Sequence, residues 1–281
     1  MLMSRKSVAL GCGFALAIAV TACGGNKENT TSTSGGNQTA AAPAGGSAPS
    51  AASKPAGNGP TGTASVSGTV TYDGQVPKLP AISMAADPNC AAKHPGGEAP
   101  SDMLVLGDSN HMGNVFVYVK DGPVANATYT PPTDPVKIDQ NGCMYSPHVT
   151  AVQVGQPLEF LNSDGILHNV HALPAQNQEF NMPMPGEEKT SPTKTFDKAE
   201  GMFRVKCDVH PWMNGFVAVM SHPYFAVTGK DGAFTIKNLP AGTYTIEAWH
   251  EKLGTQDQQV TVTDGGTATV SFTFKRAAPT S

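Results

Sequence analysis

Charge is scarce in this chain: Asp, Glu, Lys and Arg make up 14% of its 281 residues and leave a formal net charge of −4. No basic run occurs and no basic residues interleave with aromatics, which argues against a nucleic-acid partner. Stretches of Leu, Glu, Lys and Ala at helical spacing are few, so a mainly helical fold is not expected. Gly-x-Ser-x-Gly, His-Glu-x-x-His and Walker-type phosphate loops are missing, and with them the chemistries those motifs serve. Aromatics contribute only 7% and cysteines number five. What is present is Val, Thr and Phe in short alternating runs, in a chain long enough for about two domains.

Residues 1–23 read as a secretory leader. Arg5 and Lys6 precede an apolar run at 8–20, which is too short to span a bilayer comfortably. The ending Val20-Thr21-Ala22-Cys23 resembles the lipobox of bacterial lipoproteins. That resemblance implies that Cys23 is lipidated, becomes the mature N-terminus and anchors the chain to a bacterial membrane on the periplasmic side. Gly24 stands where an inner-membrane retention signal would place Asp, which favours the outer membrane. An ordinary signal peptide with an incidental cysteine is the alternative. Residues 24–64 are almost entirely Gly, Ser, Thr, Ala, Asn and Pro, a composition expected to remain a disordered tether of roughly 35 Å end to end.

Cys12 leaves with the leader, so Cys90, Cys143 and Cys207 remain in an oxidising compartment. Three is odd, and Cys207 is the candidate for separate use. Cys90 and Cys143 are candidates for a disulfide; a second metal site with His94 and His148, or free thiols, are the alternatives.

Residues 131–221 show short strands with turn punctuation, at 150–154, 157–161, 193–197, 202–206 and 215–220, a pattern suited to an all-β sandwich. Two loops carry the chemistry. One holds Leu167-His168-Asn169-Val170-His171, and the other is Cys207-x-x-His210-Pro211-x-Met213-x-Gly215. A thiolate, two imidazoles and a thioether suit copper in both oxidation states. Zinc on Cys207, His168 and His210 is a weaker alternative. These loops, with Tyr145-x-Pro147, Val154-Gly155 and Phe160-x-Asn162-x-Asp164, resemble the amicyanin-like cupredoxins over some 85 residues. The resemblance implies a Greek-key sandwich with one type 1 copper, bound by His168, Cys207 and His210 with Met213 as a long axial ligand. It gives Asn169 the task of tying the two loops together and screening the thiolate. Asp208 and Val209 depart from the Thr and Pro usual there, which leaves the hydrogen bonding at the Cys207 sulfur open.

The implied function is a periplasmic one-electron carrier rather than an enzyme, since four protein ligands leave no place for substrate. Its partner would be a c-type cytochrome or a periplasmic dehydrogenase, docked where the edge of His210 meets Pro211, Trp212 and Met213. A copper-handling chaperone or sensor is one alternative; a binding or structural lipoprotein with a vestigial copper site is another. His171 reads as a strand or surface residue, and His148, His222 and His250 have no assigned role.

Residues 222–281 carry Thr228-x-x-Asp231-Gly232-x-Phe234-x-Ile236-x-x-Leu239-Pro240-x-Gly242-x-Tyr244. This resembles the carboxypeptidase regulatory-like family, a small transthyretin-like β-sandwich without peptidase activity of its own. The opening strand of that family has its counterpart far upstream, at Gly68-x-Val70 through Gly74 and Pro77, with a second strand at 114–120. The economical arrangement is one sandwich built from 65–130 and 222–275, with the copper module inserted in a loop. Three tandem domains are the alternative.

Overall fold

The computed structural model describes residues 59–275. The leader at 1–23, Cys23 and the tether as far as residue 58 lie outside them. Residues 59–64, expected as the end of the tether, run instead against folded strands. The Pro60 carbonyl accepts from the hydroxyls of Tyr129 at 3.1 Å and Tyr224 at 2.7 Å, and the Gly62 amide donates to the Asn238 carbonyl at 2.9 Å. Both tyrosines are buried, and a buried phenol needs a polar partner, which this segment supplies.

The described residues are all-β apart from the one-turn helix Pro88–Ala91 and two 3-10 turns. Five strands, Val149–Gln153, Asn214–Met220, Glu200–Lys206, His168–Leu173 and Phe180–Met184, lie side by side in that order. They share one apolar core with a second sheet made of Leu158–Asn162, Val136–Gln140 and Tyr145–Ser146. The strand expected at 193–197 is reduced to a single bridge between Lys194 and Leu158. Pro192, just before it, has no N–H to extend a ladder.

Val149–Gln153 is buried along its whole length, although its residues were expected to alternate. It pairs parallel with Asn214–Met220, and both faces of this sheet edge are covered. Val152, Val217 and Val219 enter the core just described, while Val149, Ala151, Ala218 and Met220 pack on Phe116, Phe225 and Val227. A strand covered on two sides loses the alternation that a half-exposed strand keeps.

Those covering residues belong to the flanking strands. Ala64–Tyr72 pairs antiparallel with Ala233–Leu239 and parallel with Thr267–Thr269 and Phe272–Phe274. Phe116–Asp121 pairs antiparallel with Phe225–Val227 and Gly242–His250, and Gly242–His250 continues to Gly254–Val262. Strands from before residue 131 thus complete sheets with strands from after residue 221. Gly68 permits the tightest of these approaches: a Cβ there would lie 1.6 Å from the Val270 carbonyl oxygen.

One further segment reaches the side of the two motif loops. Ile82–Ser83 pairs with Glu98–Ala99, and between them runs the helix Pro88–Ala91. Asp87 caps that helix and Pro88 opens it, the residue types that fit those positions. Met84, Cys90 and Ala99 from this segment enter the same core as Cys207 and Met213.

Candidate metal centre

The two motif loops meet. His168 begins the strand His168–Leu173, and Cys207 directly follows Glu200–Lys206, which pairs with it. The turn after Cys207 closes on itself: the Met213 amide donates to the His210 carbonyl at 2.9 Å, and the Cys207 amide to the Met213 carbonyl at 3.2 Å. His168, Cys207 and His210 offer donor atoms that all lie within 4.8 Å of one another. The two Nδ1 atoms of the histidines are 2.9 Å apart, and the Cys207 sulfur is 3.7 Å from His210 Nδ1. All three residues and Met213 are buried.

The outer nitrogens of both rings meet carboxylates. His168 Nε2 lies 2.9 Å from Asp164 Oδ2, and His210 Nε2 lies 3.1 Å from Asp87 Oδ2. Asp164 is itself held by the successive amides of Gly142 and Cys143, at 2.7 and 2.8 Å, and by Lys93 Nζ at 3.1 Å. Gly142 and Cys143 both have positive φ, 65° and 52°, the turn geometry that aims consecutive N–H groups at an anion. Burial pushes the Asp164 carboxyl up, but His168, those amides and Lys93 outweigh it and hold it at about 2. Burial likewise opposes ionisation of Cys207, yet His168 and nearby backbone amides lower its thiol below the ordinary value. Asp87 is lowered chiefly by its bond to His210.

Asn169 joins the loops as the resemblance implies. Its side-chain oxygen accepts from the Asp208 amide, and its own backbone amide points at the Cys207 sulfur at 3.4 Å. Asp208, where the family's usual Thr is absent, forms a polar cluster with Asn181, His171 and Lys206. The open question at the sulfur is therefore answered by backbone amides, that of Asn169 across the loops among them, with Asp208 turned outward.

Cys90 and Cys143 form a disulfide, which removes the alternative of a second metal site on them. His94 instead bonds the Gly142 carbonyl at 2.7 Å. His148 lies apart, between Asp102 and Glu251. His222 bonds the Val119 carbonyl at 2.9 Å and is buried, outside every cluster of three or more metal-donor residues among the described residues. His250 is buried, which pushes its ring down to about 4.

One expectation is corrected. The edge of His210 is not an open docking surface: the residue is 2% exposed, Met213 is 0% exposed, and Asp87 covers the outer nitrogen. Trp212 turns its indole N–H to the Cys143 carbonyl at 3.1 Å. Leu167 and Val209, each just before one of the two histidines, are exposed, as is Pro211, while Trp212 is half-buried. Asp87 was missed from the sequence; its one signal, Asp-Pro three residues before a cysteine, marks a helix start and says nothing of a distant imidazole.

Comparison with known proteins gives partial matches. No curated protein matches the chain in sequence. Among solved structures, a copper-containing nitrite reductase from Thermus scotoductus SA-01 is similar at 27% identity and a TM-score of 0.28, over 34% of this chain. This chain spans only 24% of that protein's length. An amicyanin with a single proline replaced by alanine, in its oxidised state, matches at 28% identity and a TM-score of 0.27, covering 30% of this chain and 81% of amicyanin. A purple cupredoxin from Nitrosopumilus maritimus matches at 24% identity and a TM-score of 0.26, covering 30% of this chain and 98% of that one. Residues 216–275 match the model of the carboxypeptidase regulatory-like domain, a stretch that begins inside Asn214–Met220 and lies wholly C-terminal to the four candidate ligands.

Proposed function

We propose that this protein is a type 1 copper protein that carries single electrons, with His168, Cys207, His210 and Met213 holding the metal. The convergence of ring nitrogens carries this reading. An ionised carboxylate only accepts hydrogen bonds, so Asp164 and Asp87 require hydrogens on both Nε2 atoms. With both rings neutral, both Nδ1 atoms then present lone pairs to each other at 2.9 Å, beside a thiol that His168 and nearby amides pull below its ordinary value. Three acceptors so close repel unless a cation lies among them, and carboxylate-backed imidazoles are the usual way a chain presents ligands to a metal.

The donor set decides between metals. Cys207 and Met213 add soft sulfur to two imidazoles, which suits copper in both oxidation states better than zinc. Bound there, copper would supply a reversible one-electron couple. The chain supplies a buried, preformed set of donors, with Asn169 fixing one loop on the other and its amide stabilising negative charge on the sulfur. Four protein donors leave no position for substrate, so the reading is a carrier rather than an enzyme. A small redox protein, a c-type cytochrome or a periplasmic dehydrogenase, would be the partner. Pairing of Ala64–Tyr72 and Phe116–Asp121 with strands after residue 221 supports a copper module inserted in a transthyretin-like sandwich.

Loading the purified protein with Cu(II) tests this. An intense visible thiolate band and a reversible one-electron cycle are expected, with the band abolished in Cys207→Ser. Binding of zinc alone, or of copper without the band, would overturn the assignment. Passage of the metal to an acceptor faster than it cycles would favour copper handling instead.

The lipobox-like Val20-Thr21-Ala22-Cys23 supports a periplasmic site with a lipid anchor, the outer membrane favoured. Cys23→Ser should release the protein from the membrane fraction. A wild type found soluble without detergent would contradict the anchor.

A further inference from the structure

The segment 82–99 lies outside both copper-loop motifs, yet its Asp87 carboxylate meets a ring of the centre. We propose that Asp87 is a positioning residue that sets the tautomer of His210, keeping the proton on Nε2 so that Nδ1 is free to face Cys207 and His168. This deepens the copper reading and rests on it only where copper itself is measured.

The two oxygens of Asp87 have separate tasks. Oδ1 accepts from the amides of Asn89 at 2.8 Å and Cys90 at 3.4 Å, which fixes the carboxylate as the cap of the helix Pro88–Ala91. Oδ2 is then left facing His210 Nε2 at 3.1 Å. The carboxylate cannot turn away without giving up the cap, and the helix cannot move easily. Its Cys90 is buried and joined to Cys143, and Met84 is buried in the core beside it.

The same disulfide reaches the other histidine. Cys143 and its neighbour Gly142 hold Asp164 through their amides, and Asp164 faces His168 Nε2. One covalent link therefore ties together the supports of both rings: Asp87 three residues before Cys90, and Asp164 on the amide of Cys143. Each support fixes which nitrogen carries the proton, the condition for a histidine to act as a ligand through the other.

Asp87→Asn separates the two tasks. Asn caps helices as well as Asp does, so its side-chain oxygen stays on the Asn89 and Cys90 amides. Its NH2 group then faces Nε2 of His210. A donor in that place forces Nε2 to accept and moves the ring proton to Nδ1, the nitrogen the centre needs free. Asp87→Ser keeps a cap but reaches His210 with neither donor nor acceptor.

The experiment reads nitrogen-15 shifts of the His210 ring in metal-free protein, then copper affinity and reduction potential after loading. Wild type should show the proton on Nε2, Asp87→Asn on Nδ1, and Asp87→Ser a mixture. Copper binding should weaken by about 10–100-fold in Asp87→Asn, the usual cost of losing a partner behind a ligand. Where Cu(II) is weakened ten-fold more than Cu(I), the potential rises by about 59 mV. An intact Cys90–Cys143 disulfide and an unchanged amide spectrum away from the helix confirm that each variant is folded. The same tautomer in all three proteins would overturn the inference, whatever the metal results. A tautomer that shifts as expected in a protein that never develops the thiolate band would leave Asp87's role standing and defeat the copper reading instead.

Discussion

At the scale of single residues, Met213 separates the donor from the loop that carries it. Its backbone bonds to both Cys207 and His210 and closes the turn, while its side chain is wholly buried in the apolar core that Cys207 also enters. Met213→Leu keeps volume and turn, a change that usually costs less than about 1.5 kcal/mol. It removes only the thioether. The copper-loaded variant should keep its colour and gain reduction potential, by about 59 mV for each ten-fold loss in preference for Cu(II). Voltammetry reads this directly, and an unchanged potential would remove Met213 from the ligand set. The ligand candidates could be read in the sequence because thiol, imidazole and thioether announce their chemistry by type and spacing. Asp87 could not. It stands 123 positions from His210, and an Asp-Pro pair has a sufficient local explanation as a helix start.

At the scale of elements, the strands that were legible are those with local punctuation. Glu200–Lys206 and Asn214–Met220 stand on either side of the Cys207 turn, and Ala233–Leu239 and Gly242–His250 are joined by the Leu-Pro-Ala-Gly turn. Val136–Gln140 and Phe180–Met184 were not foreseen: the first is completed by Leu158–Asn162 well downstream, and the second carries Pro183, a residue that reads against a strand. The alternation at 150–154 suggested one wet face, but both faces are covered by residues that no local window contains. The order of the segment 82–99 comes from burial of Met84 and Cys90 and from the disulfide rather than from periodicity. A covalent closure of this kind restricts the unfolded chain and holds a short helix that could not persist alone. That is what allows so short a helix to hold the Asp87 carboxylate against His210.

At the scale of the whole molecule, the strands that carry the two motif loops and the flanking sheets are joined by an apolar cluster and by an ionic contact at His148. The cluster is non-directional and independent of pH, whereas the contact is neither. His148 Nδ1 lies 3.1 Å from Asp102 and equally close to the Asn214 carbonyl, and Nε2 lies 2.7 Å from Glu251. Asp102 precedes the motif-loop region in sequence and Glu251 follows it, so one imidazole links three stretches of chain. Burial alone would lower its pKa, but the two carboxylates outweigh burial and push it up to about 9. A histidine with a folded pKa above its unfolded value of 6.5 contributes stability fully below pH 6.5, and that contribution disappears as pH rises through about 9. Its size is on the order of 3 kcal/mol, at about 1.4 kcal/mol for each pH unit between the two values. Denaturant unfolding from about pH 6 to about pH 10 should therefore show the wild type losing stability across that window. His148→Gln should be less stable at the acid end and nearly level above it, and the difference between the two proteins isolates this ring from every other titrating group. A wild type and variant that fall in parallel would show that the ring is neutral in the folded protein and adds no ionic stabilisation between the three stretches.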